Sequence, residues 1–424
     1  RQERVAKISS EESDFTEDIL EVQEVNSEVK VDYATDLTES IDFDGFAASR
    51  VRWETFERNF GSTAGGLASA QVYTLENSIG RPSVVDRFEQ NAVYSVYGSA
   101  NFGYNDLVYL TGTIRNDWSS TLPEDNNSYL YPSISTSFVF SGLEVFEDQD
   151  ILSFGKVRAS LARVGNDTDP YRLSTIYPGE PPLAGQPLLR LLRDLNNSEL
   201  EPEITTGVEF GTELEFFQNR ASLDVTYYRD VTENQILPLT VSPASGYESA
   251  LVNAGSILNK GWEVQLGGTP VLTEDFQWDL SVNWSKNDGE IQELREGTDT
   301  YVIGDGAFGP DVVAQVGQQY GAIYGTALVR NDAGEIVYTG SGVPRATQNN
   351  QVIGNYQPDW TGGVSTRLSY KGLSLSALFE GQKGGDIWSL SNTFGVYSGL
   401  LEETVSGAQR ETGVIPDGVV QNED

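Results

Sequence analysis

Long stretches of this chain alternate apolar and polar residues one by one, a pattern that only a β-strand with two unlike faces can use. In residues 92–104 the even positions read Ala92, Tyr94, Val96, Gly98, Ala100, Phe102 and Tyr104, while the odd ones are mostly Ser, Asn and Gly. Asn105-Asp106 then supplies a tight turn. The following run sets Val108, Leu110, Gly112, Ile114 and Trp118 against Tyr109, Thr111, Thr113, Arg115 and Asp117, which completes a hairpin.

The same pattern recurs three times downstream. Ile204, Val208, Phe210, Leu214 and Phe216 are followed across Gln218-Asn219 by Ala221, Leu223, Val225 and Tyr227. Trp262, Val264 and Leu266 face Phe276, Trp278, Leu280, Val282 and Trp284. Trp360, Val364, Leu368 and Tyr370 face Leu373, Leu375, Ala377 and Phe379 across Lys371-Gly372. Residues 134–140 and 157–164 add two strands, with weaker signals at 41–53 and 67–74, giving roughly ten to twelve in all. The 43 Gly, 20 Tyr, 18 Phe and 7 Trp favour strands and turns over helices.

Two features set this apart from a soluble sandwich or propeller. Strands there average about 5 to 6 residues, whereas several here reach a dozen. Connections also alternate in length: the three turns named above are tight, while residues 119–130, 165–202 and 287–358 are long. Short turns at one end and long loops at the other are the layout of a transmembrane antiparallel β-barrel.

Aromatic spacing agrees. Tyr94 and Tyr104 lie ten residues apart on one face, as do Trp360 and Tyr370. Ten residues at about 3.3 Å each, tilted by roughly 40°, span about 25 Å, the height of the apolar belt of such a barrel. Tyr94, Tyr104, Trp118, Trp278, Trp284, Trp360 and Tyr370 are therefore the expected membrane-interface residues. Charge keeps to the other register: Arg115, Asp117, Asp224, Arg367, Glu380 and the lumen-facing candidates Glu203, Glu209, Glu213 and Glu215.

Composition removes other classes of function. The chain has no His, Cys or Met, which excludes imidazole bases, thiolate nucleophiles, disulfides and His- or Cys-ligated metals. With 27 Lys plus Arg against 63 Asp plus Glu, a net charge of -36 argues against nucleic acid as a partner. No apolar run is long enough for a helical membrane span. The acidic, poorly patterned residues 11–39 read as a solvated loop. Glu213 and Glu215, about 7 Å apart along a strand, have the spacing of a glycosidase pair but read as facing a wet interior. Gly165-Asn166-Asp167-Thr168-Asp169-Pro170 offers calcium-like oxygen donors, yet lacks the spaced acids and closing Glu of a calcium loop and reads as a turn. Gly304-Asp305-Gly306-Ala307-Phe308-Gly309 is not followed by a basic residue or helix start, so it does not read as a phosphate cradle. No cofactor is expected.

Several stretches also resemble a known family. These are Ser95-Val96-Tyr97-Gly98-Ser99-Ala100-Asn101-Phe102-Gly103-Tyr104, Arg115-Asn116-Asp117-Trp118-Ser119-Ser120-Thr121-Leu122-Pro123, and Val164-Gly165-Asn166-Asp167-Thr168-Asp169-Pro170-Tyr171. Further along come Leu200-Glu201-Pro202-Glu203-Ile204-Thr205-Thr206, Asn253-Ala254-Gly255 with Asn259-Lys260-Gly261, and Tyr320-Gly321-Ala322-Ile323-Tyr324-Gly325-Thr326. The last two are Ile353-Gly354-Asn355-Tyr356-Gln357-Pro358-Asp359-Trp360-Thr361-Gly362-Gly363 and Gly381-Gln382-Lys383-Gly384-Gly385-Asp386. In this order they resemble the SusC/RagA family of TonB-linked (TonB-dependent) outer-membrane transporters.

The resemblance implies part of a 22-stranded barrel with long extracellular loops, short periplasmic turns and an internal plug. It implies import of oligosaccharides or peptides, a SusD-like surface lipoprotein lid, and energy from a TonB complex acting through the plug. It further implies residence in the outer-membrane lipid of a Gram-negative bacterium of the Bacteroidetes type. Residues 1–91 would hold early barrel strands and the acidic extracellular loop, and residues 92–424 the middle-to-late strands with long loops; a plug domain and the C-terminal strands are not recognised in the sequence. Such a protein transports and is not an enzyme. The rival readings are a secreted or surface carbohydrate-binding β-protein, possibly a carboxylate-dependent glycosidase, and a passive porin.

Overall fold

The computed structural model describes residues 2–8, 13–146, 150–295, 297–306, 308–340, 342–405 and 419–420. Thirteen strands carry its long antiparallel meanders: β1 (Gln2–Ile8), β2 (Ser13–Thr38), β3 (Ile41–Ser62), β4 (Ser83–Tyr104), β5 (Val108–Ser119), β6 (Ser128–Phe138) and β7 (Leu152–Asn166), then β8 (Glu203–Phe216), β9 (Ala221–Glu233), β10 (Ser256–Leu272), β11 (Phe276–Glu293), β12 (Pro358–Tyr370) and β13 (Leu373–Gly384). The chain divides into two compact units.

The first unit comprises Arg1–Thr136, Ala162–Thr205 and Asn234–Asn253. Within it β1 to β6 are neighbours in chain order. Val31 pairs with Ala47 between β2 and β3, Val51 with Tyr94 between β3 and β4, and Tyr94 with Trp118 between β4 and β5. Asn105 and Asp106 both adopt left-handed backbone, with φ of 50° and 54°, and the Leu107 amide donates to Tyr104 O at 3.0 Å. That is the turn whose twist matches two adjoining strands.

The second unit comprises Ser137–Leu161, Thr206–Glu233 and Ala254–Asp424. There β8 to β13 are neighbours in chain order. Val264 faces Trp284, Val282 faces Val364, and Val364 faces Phe379. A bulge between Gly268 and Val271 interrupts the β10–β11 ladder.

Among the described residues neither meander has a sandwich core. In each, the apolar register is exposed within the unit: Val29 is 72% accessible, Leu375 66% and Phe379 67%. Burial gathers instead where strands meet the long loops. In the first unit Leu122, Tyr129, Leu200 and Leu251 pack together, joined by Tyr131, Leu173 and Ile236. In the second, Ile257, Ile291, Leu294 and Ala314 pack with Tyr301 and Tyr320.

Three expectations need correction. Residues 13–38 are not a loop but form β2; Glu11 and Glu12 lie outside the described residues, and Glu39 belongs to the turn before β3. Val25, Ser27, Val29, Val31, Tyr33, Thr35 and Leu37 do alternate with Glu24, Asn26, Glu28, Lys30, Asp32, Ala34 and Asp36. High charge on one register had masked the alternation.

Residues 67–74 form no strand, because Asn77 takes the backbone groups a ladder would use. Its side chain accepts from the Ser69 amide at 3.0 Å and donates to Ser69 O and Val72 O, both at 2.7 Å. Residues 287–358 are not simply loop either. β11 continues to Glu293, and Thr300–Gly304, Asp311–Gln315, Ala322–Gly325 and Gln351–Asn355 build a four-stranded sheet of their own. Gln421-Asn422-Glu423-Asp424, with the run 406–418, lie outside the described residues.

Candidate functional site

In the second unit, one register of the meander carries a continuous polar face. Strand alternation places Asp224 and Thr226 of β9, Glu263 and Gln265 of β10, Asn283 and Ser285 of β11, Thr361 of β12, and Glu380 and Gln382 of β13 on the same side. With Arg158 of β7 they line a recess of about 860 Å3. Arg158 reaches Asp224 across β8, donating from Nη1 and Nη2 at 2.8 and 2.9 Å and from Nη2 to Thr226 Oγ1 at 2.6 Å. Gly211 on the intervening strand makes the crossing possible, since a Cβ there would lie 2.5 Å from Arg158 Nε. This two-pronged contact fixes the guanidinium plane. Beside it, Lys156 Nζ donates to Glu213 Oε2 at 2.6 Å.

A second polar recess, of about 200 Å3, lies in the first unit at the long-loop end of β5 to β7. Arg50, Arg52, Ser95, Arg115, Asp117, Tyr129, Tyr131, Asn166 and Asp167 line it. Arg115 Nε donates to Asp117 Oδ1 at 2.8 Å and its Nη2 to Ser95 Oγ at 2.9 Å, while the Tyr131 hydroxyl donates to Asp117 Oδ2. Asp167 Oδ2 accepts from Ser119 Oγ and from Thr121 Oγ1. The two motifs 116–123 and 165–170 are thus hydrogen-bonded to each other. Gly165 opens space for the two tyrosines: a Cβ would sit 2.6 Å from Tyr129 Cδ2 and 3.0 Å from Tyr131 Cε1.

The four glutamates are not brought to one point. Glu213 is taken up by Lys156 rather than presented with Glu215 as an acid pair. Glu203 lies in the first unit and accepts from the Ile236 amide at 2.8 Å and from Asn166 Nδ2 at 3.2 Å. Glu209 is exposed and Glu215 half-buried. Among the described residues no group of three Asp or Glu side chains could hold a metal ion. No phosphate cradle can be tested at 304–309, since Ala307 lies outside the described residues.

The seven aromatic residues fall at two heights along their strands. In the first unit Tyr94 pairs with Trp118, ring centroids 5.3 Å apart, and Tyr104 stands beside the Asn105-Asp106 turn. In the second, Trp360 and Trp284 occupy the long-loop side, and Tyr370 and Trp278 the tight-turn side, where Trp278 Nε1 donates to Thr366 Oγ1 at 2.9 Å. Trp53 and Trp262 are also half-exposed in the apolar register but are not among the expected interface residues. Arg50, Arg52, Arg158, Tyr129 and Tyr131 were likewise missed. For the two β3 arginines the signal was present, because Arg50-Val51-Arg52-Trp53 alternates.

Long antiparallel strands, one apolar register left exposed and one polar register lining recesses define the class: the wall of an outer-membrane-type β-barrel. The family described as TonB dependent receptor-like, beta-barrel matches residues 12–396, and the chain belongs to it. It is thus β-barrel of the TonB-dependent receptor family.

Its relatives include TonB-dependent receptor P3 of Formosa agariphila, 27% identical over 70% of this chain and 32% of that protein. SusC of Bacteroides thetaiotaomicron is 26% identical over 50% of this chain and 22% of its own length. Among solved structures the RagAB peptide transporter matches with a TM-score of 0.74 at 22% identity, covering 87% of this chain and 42% of that one. The chain spans about a third of the length of the curated relatives it matches.

Proposed function

We propose that this chain is barrel wall from an active importer of oligosaccharides or peptides in the outer membrane of a Gram-negative, Bacteroidetes-type bacterium. TonB-derived energy would reach it through a plug, and a SusD-like lipoprotein would cover its mouth. Residues 1–91 supply early strands and 92–424 the middle-to-late strands. The seven aromatic residues hold the apolar register at the two lipid interfaces, and Glu203, Glu209, Glu213 and Glu215 belong to the wet interior.

The observation that carries this reading is the recess of about 860 Å3, because six strands contribute polar side chains to its lining while the opposite register of the meander is apolar. A transport wall needs that division: hydrogen-bonding groups for a hydrated cargo on one side and hydrocarbon contact on the other. Glu263 and Glu380 add negative charge to the recess beside the neutralised Arg158–Asp224 pair, which favours neutral or cationic cargo there. The relatives' names support the class of cargo, one of them being a peptide transporter.

The test is uptake into liposomes holding the complete protein, with and without energised TonB. Uptake that depends on TonB supports the reading. Equal uptake without it identifies a passive porin, and a protein that stays soluble without detergent is no membrane wall at all.

A further inference from the structure

Two arginines in the first unit lack the partners that this composition would supply. The protein carries 63 acidic side chains for 27 basic ones, so a cation facing a polar recess should find a carboxylate. Arg115 does, in Asp117. Arg50 instead donates from Nε and Nη2 to the neutral Asn26 Oδ1, at 3.0 and 2.5 Å, which leaves Nη1 over, and among the described residues it makes no ion pair. Arg52 makes none either, and its Nε is buried without a hydrogen-bond partner. A buried donor left unpaired costs stability, so its retention beside a cavity marks a contact still to be made.

Neither carboxylate of the recess makes that contact: among the described residues no ion pair joins Arg50 or Arg52 to Asp117 or Asp167. Asp117 is held at both oxygens, by Arg115 and by Tyr131. Asp167 accepts from Ser119 and Thr121 at Oδ2 alone, and its negative charge therefore sets the far side of the anion position. The volume of about 200 Å3 holds several waters' worth of space but falls short of the roughly 300 Å3 at which whole-ligand pockets begin. It therefore suits one chemical group rather than a whole cargo molecule. Guanidinium groups that lack an acid partner, with serine and tyrosine hydroxyls beside them, recognise oxyanions.

We infer that Arg50 and Arg52, with Ser95 and Tyr129, form a subsite for a single oxyanion, of carboxylate or sulfate size, at the long-loop end of the first unit. The anion is either an acidic group on the cargo or a carboxylate from another part of the complete protein. Only the first source rests on the transport reading. The subsite confers a preference opposite to that of the acidic chain as a whole: acidic cargo would be held at this point and repelled elsewhere.

The probe is selenate, soaked into crystals of the complete protein and titrated against it in detergent. The expected result is an anomalous peak within hydrogen-bond distance of Arg50 and Arg52, with affinity falling about tenfold or more in Arg52→Gln, as loss of one charged donor implies. Arg52→Lys should retain part of the binding. Arg50→Gln provides a second route if Arg52→Gln fails to fold, and Arg220→Gln, whose guanidinium bonds Thr269 O and Pro270 O in the other unit, should change nothing.

If a carboxylate of the complete protein already occupies the position, that side chain will be seen against Arg52 and selenate excluded; the oxyanion chemistry then stands and the protein is its source. Selenate binding equally to wild type and Arg52→Gln, or a complete protein with neither anion there, overturns the inference. Failure of TonB-dependent uptake with selenate binding intact would remove the transport reading alone.

Discussion

Ile114 offers the sharpest contrast between a lipid-facing strand and a water-facing one. It is 54% exposed, lies in the apolar register of β5 opposite Gly98, and stands four residues from Trp118 and six from Val108. At about 3.3 Å per residue and a tilt of roughly 40°, those offsets are about 10 and 15 Å along the membrane normal, close to the midplane of a belt about 25 Å tall. Ile114→Arg should then destabilise the complete protein by about 2–4 kcal/mol, the cost of a guanidinium near the midplane. On a solvated surface the same exchange would fall within about 0.5 kcal/mol of neutral. The assay is equilibrium unfolding by guanidinium chloride in phospholipid vesicles, with Thr111→Arg in the opposite register as control. That control should cost less than about 1 kcal/mol. Equal, near-zero effects at both positions would refute the assignment of faces.

Other expectations follow from the recesses and the loop sheet. Gly165→Ala should cost about 1–3 kcal/mol, because its new methyl meets Tyr129 and Tyr131, whereas Gly112→Ala, with nothing within 4 Å, should be far milder; thermal unfolding compares them. For Arg158 and Asp224, the double exchange Arg158→Met with Asp224→Leu should be less damaging than the two single changes summed, with a coupling of about 1 kcal/mol in a mutant cycle; additive single effects would mean the pair is idle. Burial, and then the neighbouring Tyr320, raise the Tyr301 hydroxyl above its ordinary 10.0; burial, and then Tyr356, do the same for Tyr320. Since the folded value lies above the unfolded one, the loop sheet keeps this contribution to its stability below about pH 10 and loses it as pH rises through the folded value. Alkaline melting followed at 295 nm should become less pH-dependent in Tyr301→Phe and Tyr320→Phe.

The registers of β4, β5 and β9 to β13 are plain in the sequence because one face must suit hydrocarbon and the other water, and no residue can serve both. Where that demand lapses, so does the signal. β4 begins at Ser83 rather than near residue 92, and its first part mixes Val84, Asp86 and Phe88 on one face. With Tyr94 at the interface as proposed, residues 83–91 would lie beyond it, where both faces would meet water and alternation would have no work to do. β2 was hidden by the acids of its polar register. The short strands at 300–325 and 351–355 hold only four or five residues each, too few for periodicity to separate from loop. Of the recess residues, Glu213 and Asp224 could be assigned a face but not a partner: Lys156 and Arg158 come from β7, distant in sequence, and only the sheet order brings them together.

Because the chain contains no cysteine, single cysteines can be introduced one at a time along β4 and β12. Labelling each in whole cells or vesicles with a thiol-reactive fluorophore, then quenching from the lipid and from the aqueous phase, reads which way every side chain points. Positions 96, 98, 100 and 102, with 364, 366 and 368, should be quenched from lipid, and positions 97, 99 and 101, with 365 and 367, from water. Quenching from water at every position, or with no period of two, would contradict the account.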